Sequence, residues 1–223
     1  MITPRLEMIL RHVKGKSCAD IGTDHCYVPI KLAEAGVKVI ATDIKPGPLK
    51  MAEKHTKKYG QNIELRLGGG LSPIEKEEVE TIIIAGMGGE MIEKIIAADI
   101  EKARGSRLIL QPMNSQYELR KFLAENGFNI TCEDIAVEGF KVYNLMVASS
   151  GRANVYEKEI DLHLPKAVRN HPLFVQLLEK KKREFTGIYN GLNASSERND
   201  SEIERMERLL SELEEIERDI KCE

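Results

Sequence analysis

Paired cysteines are missing from this chain of 223 residues. Its four cysteines, Cys18, Cys26, Cys132 and Cys222, form no Cys-x-x-Cys unit, and none sits at zinc-ligand spacing from a histidine. Metal and redox chemistry are therefore not expected, and Cys18 and Cys132, each inside an apolar strand pattern, read as small buried hydrophobes. Long apolar runs are missing too. Nothing approaches the roughly 20 residues of a membrane span, so no membrane partner is expected. The opening segment MITPRLEMILRHVKGK has helical spacing and an internal Glu7. It lacks the apolar core and small-residue cleavage site of a signal peptide, and the expected location is cytoplasmic. Nor does one sign of charge dominate, since the formal net charge is −3. That average hides an asymmetry. Basic and acidic residues balance at 20 each over residues 1–150, stand at 8 to 5 over 151–191, and at 5 to 11 over 192–223. An acidic tail thus masks a mildly basic middle segment. Global charge neither supports nor excludes a nucleic-acid partner, because a local patch is what binds phosphate.

What is present is an alternation of short apolar strands and amphipathic helices. After a first helix with Leu6, Ile9, Leu10 and Val13 on one face, strands are predicted at Ser17–Ile21, Val37–Asp43, Ile63–Leu67, Thr81–Ala85 and Arg107–Gln111. Helices are predicted at Val28–Ala35, Pro48–Tyr59, Glu90–Ala98 and Gln116–Asn126. Glycines 36, 60 and 127 close three of them. Phe128–Val137 and Lys141–Ala148 read as an antiparallel pair. Strands alternating with helices imply a mostly parallel sheet wound on both faces. Five such units followed by a hairpin give a seven-stranded α/β sheet of the class I, Rossmann-like methyltransferase order; an NAD-type fold would add a sixth parallel strand instead. This domain is expected over residues 1–150. Over 151–223 the pattern changes to two amphipathic stretches, 172–192 and 201–220, separated by NASSERND. They predict an antiparallel helical hairpin of coiled-coil type.

Ligands of open α/β sheets bind at the carboxyl ends of the strands, and the distinctive motifs all fall there. Asp20-Ile21-Gly22-Thr23-Asp24-His25 ends the first strand. It is not Gly-x-Gly-x-x-Gly, so it makes a poor pyrophosphate cradle. Its carboxylates suit a ligand with an amino group and a sulfonium, such as S-adenosylmethionine, although Asp20 capping a turn would leave the same trace. Asp43, followed by Ile44, ends the second strand about 20 positions on, where an acidic residue accepts from ribose hydroxyls. Gly68-Gly69-Gly70-Leu71 follows the third strand and offers a surface for a flat purine. Ala85-Gly86-Met87-Gly88-Gly89 follows the fourth and leaves room for a substrate near a methyl donor.

The strings ADIGTDHCYVP, IIIAGMGGEMI and LILQPMNSQYELRKFL resemble the bacterial tRNA (adenine-N1)-methyltransferase family that modifies adenosine 22. The resemblance covers nearly the whole chain. It implies a class I methyltransferase domain followed by a coiled coil, S-adenosylmethionine as cofactor, and tRNA as partner. The cofactor residues it implies are Asp20, Gly22, Thr23, Asp43, Ile44, Gly68, Gly69, Gly70, Leu71, Ala85, Gly86, Met87 and Gly88. Two positions depart from the family pattern. Gly69 stands in place of an acidic residue, and Met113 in place of the asparagine that here follows as Asn114.

Adenine N1 carries an in-plane lone pair and needs no deprotonation, so the protein's task is mainly to hold donor and acceptor in line. Transfer leaves positive charge on the purine. Asp24 is the candidate to stabilise it, with His25 and Tyr27 positioning the base; the resemblance implies that Arg5, on the first helix, faces the site. Lys180–Arg183 is a candidate phosphate contact, although four consecutive basic residues wrap most of a helical turn and cannot share one face. A monomer or weak dimer is expected, with no metal. Two further readings fit the same residues: a small-molecule methyltransferase, and a non-catalytic RNA-binding protein on the same fold.

Overall fold

The computed structural model describes residues 2–23, 25–59, 63–195 and 199–222. The backbone divides into two compact units, Met1–Val155 and Tyr156–Glu223.

In the first unit, strands β1 (Ser17–Ile21), β2 (Lys38–Asp43), β3 (Glu64–Leu67), β4 (Thr81–Met87), β5 (Arg107–Pro112), β6 (Phe128–Glu138) and β7 (Lys141–Ser150) form one seven-stranded sheet. Its order is β3-β2-β1-β4-β5-β7-β6. The first five strands are parallel, and β7 runs antiparallel to both β5 and β6. The connecting helices are α1 (Pro4–His12), α2 (Tyr27–Glu34), α3 (Pro46–Tyr59), α4 (Gly89–Ala98), α5 (Ile100–Arg104) and α6 (Gln116–Glu125). The short α5 is not apparent in the sequence pattern.

Because side chains alternate across a strand, the central strands feed two cores. Ala19, Ile21, Ile82, Ile84, Leu108 and Leu110 pack with Ile92 and Ile96 of α4 and Leu119 and Leu123 of α6. Cys18, Val39, Ala41, Ile83 and Ile109 pack with Met8 and Ile9 of α1, Val28, Ile30 and Leu32 of α2, and Ala52 of α3. Asp20, one position from Ala19, points to the second of these faces.

Helix α1 is tied to β6 near both ends. The Arg5 amide donates to Glu138 Oε1 at 2.8 Å. At the other end His12 Nε2 and Arg11 Nη2 reach Asp134 Oδ2 at 2.7 and 3.1 Å. Thr3 makes no side-chain cap, so the carboxylate of Glu138 occupies the place at the helix N-terminus that a capping side chain would take.

In the second unit, α7 (Ile160–His163) and a short 3-10 helix (Lys166–Val168) precede the long helices α8 (Phe174–Ala194) and α9 (Asp200–Cys222). Lys182 pairs with Glu217 at 2.7 Å and Tyr189 donates to Glu207 at 3.0 Å, so α8 and α9 are antiparallel. Phe174, Leu177, Leu178 and Phe185 are buried with Ile203, Met206, Leu209, Leu213 and Ile216. The predicted turn NASSERND includes residues 196–198, which lie outside the described residues. The two short helices before α8 were not legible in the sequence.

Among the described residues, the ion pair between α6 and β6 is wholly internal. Arg120 of α6 meets Glu133 of β6 through Nη2 at 2.6 Å and Nε at 3.1 Å, and both side chains are out of reach of solvent. Removing one partner strands the other charge in an apolar core. Arg120→Ala is expected to destabilise the protein by about 3–5 kcal/mol, and the double variant Arg120→Met/Glu133→Leu to recover most of that. Urea denaturation curves of the three proteins measure both effects.

Candidate active site

The site forms where β1 and β4 lie side by side at the centre of the sheet. β1 ends in Asp20-Ile21 and the chain turns at Gly22, whose φ of +76° lies in the left-handed region. The amides of Gly22 and Thr23 both donate to the Thr42 carbonyl at 2.8 Å, which pins the turn to the end of β2. A Cβ on Gly22 would lie 2.2 Å from Met87 Cε, so the Met87 side chain reaches across from the end of β4. A cavity of about 410 Å³ opens at this point. It is lined by Arg5, Asp20, Gly22, Thr23, His25, Tyr27, Ala85 and Gly86, all expected from the sequence. Thr3, Leu6, Ile9, Cys26, Val28 and Glu138 also line it, and the sequence pattern had not singled them out. Asp24 lies outside the described residues.

Asp20 is only 9% exposed. Burial pushes its carboxyl up to about 6, against the opposing effect of a side-chain hydrogen bond with Thr23. Such a carboxylate is poorly solvated and gains from a cationic ligand. Burial also pushes the Cys26 thiol up to about 11 and the Cys18 thiol higher still, so neither is suited to act as a nucleophile.

Arg5 is held in the wall of the cavity. Its Nη1 donates to Gln111 Oε1 at 3.2 Å, and its guanidinium lies 5.5 Å from the centre of the Tyr143 ring. Gln111 Oε1 also accepts from the Gly86 amide at 3.2 Å. A chain of contacts therefore runs from Glu138 through α1 and Arg5 to Gln111 and the end of β4. Glu138 is legible in hindsight as the acidic residue ending the first strand of the terminal hairpin, but no local motif marks it.

His25 and Tyr27 stand 5.6 Å apart, ring centre to ring centre, and His55 of α3 joins them at 5.8 and 6.2 Å. His55 Nδ1 donates to the His25 carbonyl at 3.0 Å, which fixes the proton on that nitrogen. Nothing in the sequence tied His55 to this loop, 30 positions away.

The remaining candidates lie along the same edge of the sheet but do not line this cavity. Asp43 Oδ1 accepts from the Lys45 amide at 2.7 Å, so one carboxylate oxygen serves the turn into α3. The Gly68 amide donates to the Asp43 carbonyl at 3.0 Å, joining the ends of β2 and β3. Exposed Ile44 lies against Gly69, 3.2 Å from where a Cβ would stand. Gly70 packs against Ile95. Leu71 is fully buried in the core with α4, so only its backbone is available to a ligand. Gly88 and Gly89 also differ from expectation. They do not leave open space: a Cβ would lie 2.8 Å from Asn114 Oδ1 at Gly88, and 2.2 Å from the Ser115 carbonyl oxygen at Gly89. Their lack of side chains admits the loop after β5 and brings Asn114 beside the end of β4.

In the second unit the basic run at 180–183 does not gather on one surface. Lys181 is buried and meets Glu184 at 2.9 Å, and Lys182 is engaged by Glu217. Among the described residues no helix is long and apolar enough to cross a membrane, and no group of acidic, histidine and cysteine side chains is placed to hold a metal ion.

A parallel sheet with this strand order, its terminal hairpin, and an acidic crevice between β1 and β4 define a class I methyltransferase, and a methyltransferase-domain family model matches residues 2–146. The chain is 30% identical to the tRNA (adenine(22)-N(1))-methyltransferase of Bacillus subtilis, with 96% of each chain covered; it belongs to that family. Its fold superposes on that of a Streptococcus pneumoniae protein assigned as a tRNA (m1A22) methyltransferase, with a TM-score of 0.86, 32% identity, and 97% and 99% of the two chains covered. A second structure of that protein, in complex with S-adenosyl-L-methionine, gives a TM-score of 0.83 at 30% identity, with the same shares covered. The Bacillus subtilis m1A22 tRNA methyltransferase structure gives a TM-score of 0.86 at 25% identity, with 97% and 98% covered.

Any residue but glycine is strained at the left-handed φ of position 22. Gly22→Ala is expected to lower stability by about 1–2 kcal/mol. Adding Met87→Ala should not restore it, because the contact is with the far end of a flexible side chain that can rotate aside, whereas the backbone strain stays. Chemical denaturation of the single and double variants decides between the two causes.

Proposed function

We propose that this protein transfers a methyl group from S-adenosylmethionine to N1 of adenosine 22 in tRNA, with the chemistry in the first unit. The observation that carries the reading is the cavity at the β1–β4 junction, where a buried carboxylate, a glycine turn and an arginine-bearing helix converge, in a chain whose relative of that activity matches it end to end. The residues fit the cofactor. Asp20 is a desolvated carboxylate suited to an ammonium group, and Gly22 adds no side chain of its own to the turn, which is bordered there by the tip of Met87. S-adenosylmethionine supplies an electrophilic methyl group on a sulfonium. Asp20, Gly22 and Thr23 hold its amino-acid end, and Asp43 with Ile44 the ribose. Gly68, Gly69, Gly70 and the Leu71 backbone border the purine. Glycine at 69 removes an acidic side chain from that border and leaves apolar contact with Ile44 in its place.

The substrate's N1 lies on the Watson–Crick edge, so the base must leave its stack to reach the cavity. Tyr27, more than half exposed at the cavity, and His25 beside it offer ring faces for that base. Ala85 and Gly86 border the space where it must lie, with Met87 and Gly88 following at the end of β4. Arg5, held by Gln111, fixes the opposite wall. Asp24, two residues beyond Gly22, is placed by sequence next to this turn; we assign it the positive charge that develops on the purine. The partner is tRNA, the setting is the cytoplasm, and the assembly is a monomer or weak dimer.

Incubation with an unmodified tRNA transcript and S-adenosylmethionine, followed by mass analysis of nucleosides, should yield 1-methyladenosine, and none when adenosine 22 is replaced by guanosine. Asp24→Asn should lower the single-turnover rate at saturation by on the order of 10²-fold with little change in cofactor affinity; a preserved rate with weakened affinity would instead make Asp24 a cofactor ligand. Cofactor affinity should also follow the titration of Asp20. Its carboxyl titrates near 6 in the free protein, and only the ionised form attracts an ammonium. Affinity should therefore be level above that pH and fall about tenfold per unit below it. The stability of the free protein has the opposite sign: burial favours the protonated form, so stability declines as pH rises from the usual carboxyl value to about 6. Calorimetric titration across this range, with Asp20→Asn as the pH-independent reference, measures the dependence.

A further inference from the structure

Phe140 is completely exposed to solvent at the turn between β6 and β7. Glu138 pairs with Lys141 across this turn, leaving Gly139 and Phe140 as its two central residues. Gly139 has a φ of +58° and Phe140 has no positive φ, the pattern of a type II′ turn, which holds the two strands in close register. The aromatic ring is therefore presented on a short, well-braced tip. The position of the tip follows from the sheet. β7 pairs antiparallel with β5, Leu110 opposite Met146 and Leu108 opposite Ala148. The start of β7 thus lies beyond the C-terminal end of β5, on the edge where the parallel strands end. Glu138, two residues before Phe140, lines the cavity itself. A single exposed apolar residue is ordinary. Here Tyr27 at the start of α2 and Ile44, Leu67 and Met113, at or just after the ends of β2, β3 and β5, are exposed as well, so exposed apolar side chains recur along the edge that carries the site.

We propose that Phe140 stacks on a nucleobase that neighbours the target adenosine once that adenosine has left the helix. This rests on the tRNA reading above. Extruding a base unstacks its neighbours and opens their faces. An aromatic carried on this braced turn, two residues from the cavity-lining Glu138, replaces the lost stacking, a contact available to any base. Exposed Lys141 follows it directly and supplies charge toward the adjoining phosphate. A second copy of the chain seated on this tip would cover the same edge through which the base must enter.

The test uses the full chain and a tRNA transcript carrying 2-aminopurine beside adenosine 22. Methylation of unlabelled transcript by the unaltered protein is established first; its absence would overturn the tRNA reading and this proposal with it. Phe140→Ala is then expected to weaken tRNA binding about tenfold, to slow single turnover, and to leave calorimetric cofactor affinity unchanged, which also reports an intact fold. Phe140→Trp should retain tRNA binding, and Phe140→Leu should behave like Phe140→Ala. The 2-aminopurine fluorescence should be quenched in the complex with the unaltered protein and brighter in that with Phe140→Ala. Unchanged tRNA affinity and fluorescence in Phe140→Ala, full retention in Phe140→Leu, or loss of self-association by sedimentation with methylation intact would each overturn the role of Phe140.

Discussion

The reversal of strand order between β1 and β4 is the constraint on which the site depends. From β1 the chain builds outward through β2 to β3, then returns to place β4 on the other side of β1 and builds outward again. With right-handed crossovers, the helices before and after that reversal must pack on opposite faces. They do: α2 and α3 share one core, α4 and α6 the other. Where the two series diverge, no connecting helix covers the ends of β1 and β4, and a crevice follows. Asp20, Gly22, Ala85 and Gly86 meet in that crevice because they end those two strands.

The crevice is closed on one side by α1, which precedes the sheet in sequence and belongs to neither winding. Its attachment is polar at both ends, to Glu138 and to Asp134, and apolar between, through Met8 and Ile9. This arrangement sets Arg5 against Gln111 without a local sequence motif. It also places an anion, Glu138, at the positive end of the helix. The wall of the site is thus assembled from the first and last elements of the domain, and its geometry depends on the hairpin β6–β7 as much as on the glycine turns.

The second unit uses its charge internally. Lys181, Lys182, Arg205 and Arg208 meet Glu184, Glu217, Glu202 and Glu159. The charge contrast between the basic middle segment and the acidic tail, visible in composition, is in part the mutual pairing of two antiparallel helices and the segment before them. Its apolar seam is the interior of this helical unit. Such pairs, mostly exposed, add little stability each, but they account for cations that a count alone would offer to phosphate.

The sequence by itself determined the strands, most of the helices, the parallel winding and the terminal hairpin. Each of these depends on local periodicity: period two or unbroken apolar runs for strands, period near 3.6 for helices, with glycine at the ends. It also marked Asp20, Gly22 and Asp43 as residues at or just after strand ends, because strand ends are legible in local periodicity. Only the tertiary structure decided what crosses between elements. It brought Glu138 to Arg5 across 133 positions and His55 to His25 across 30. It turned Leu71 into the core, set Gly88 and Gly89 against the loop after β5, and divided the basic run of α8 between burial and ion pairs. Those outcomes depend on packing between segments distant in the chain, and no local pattern of residues records which distant partner a side chain will meet.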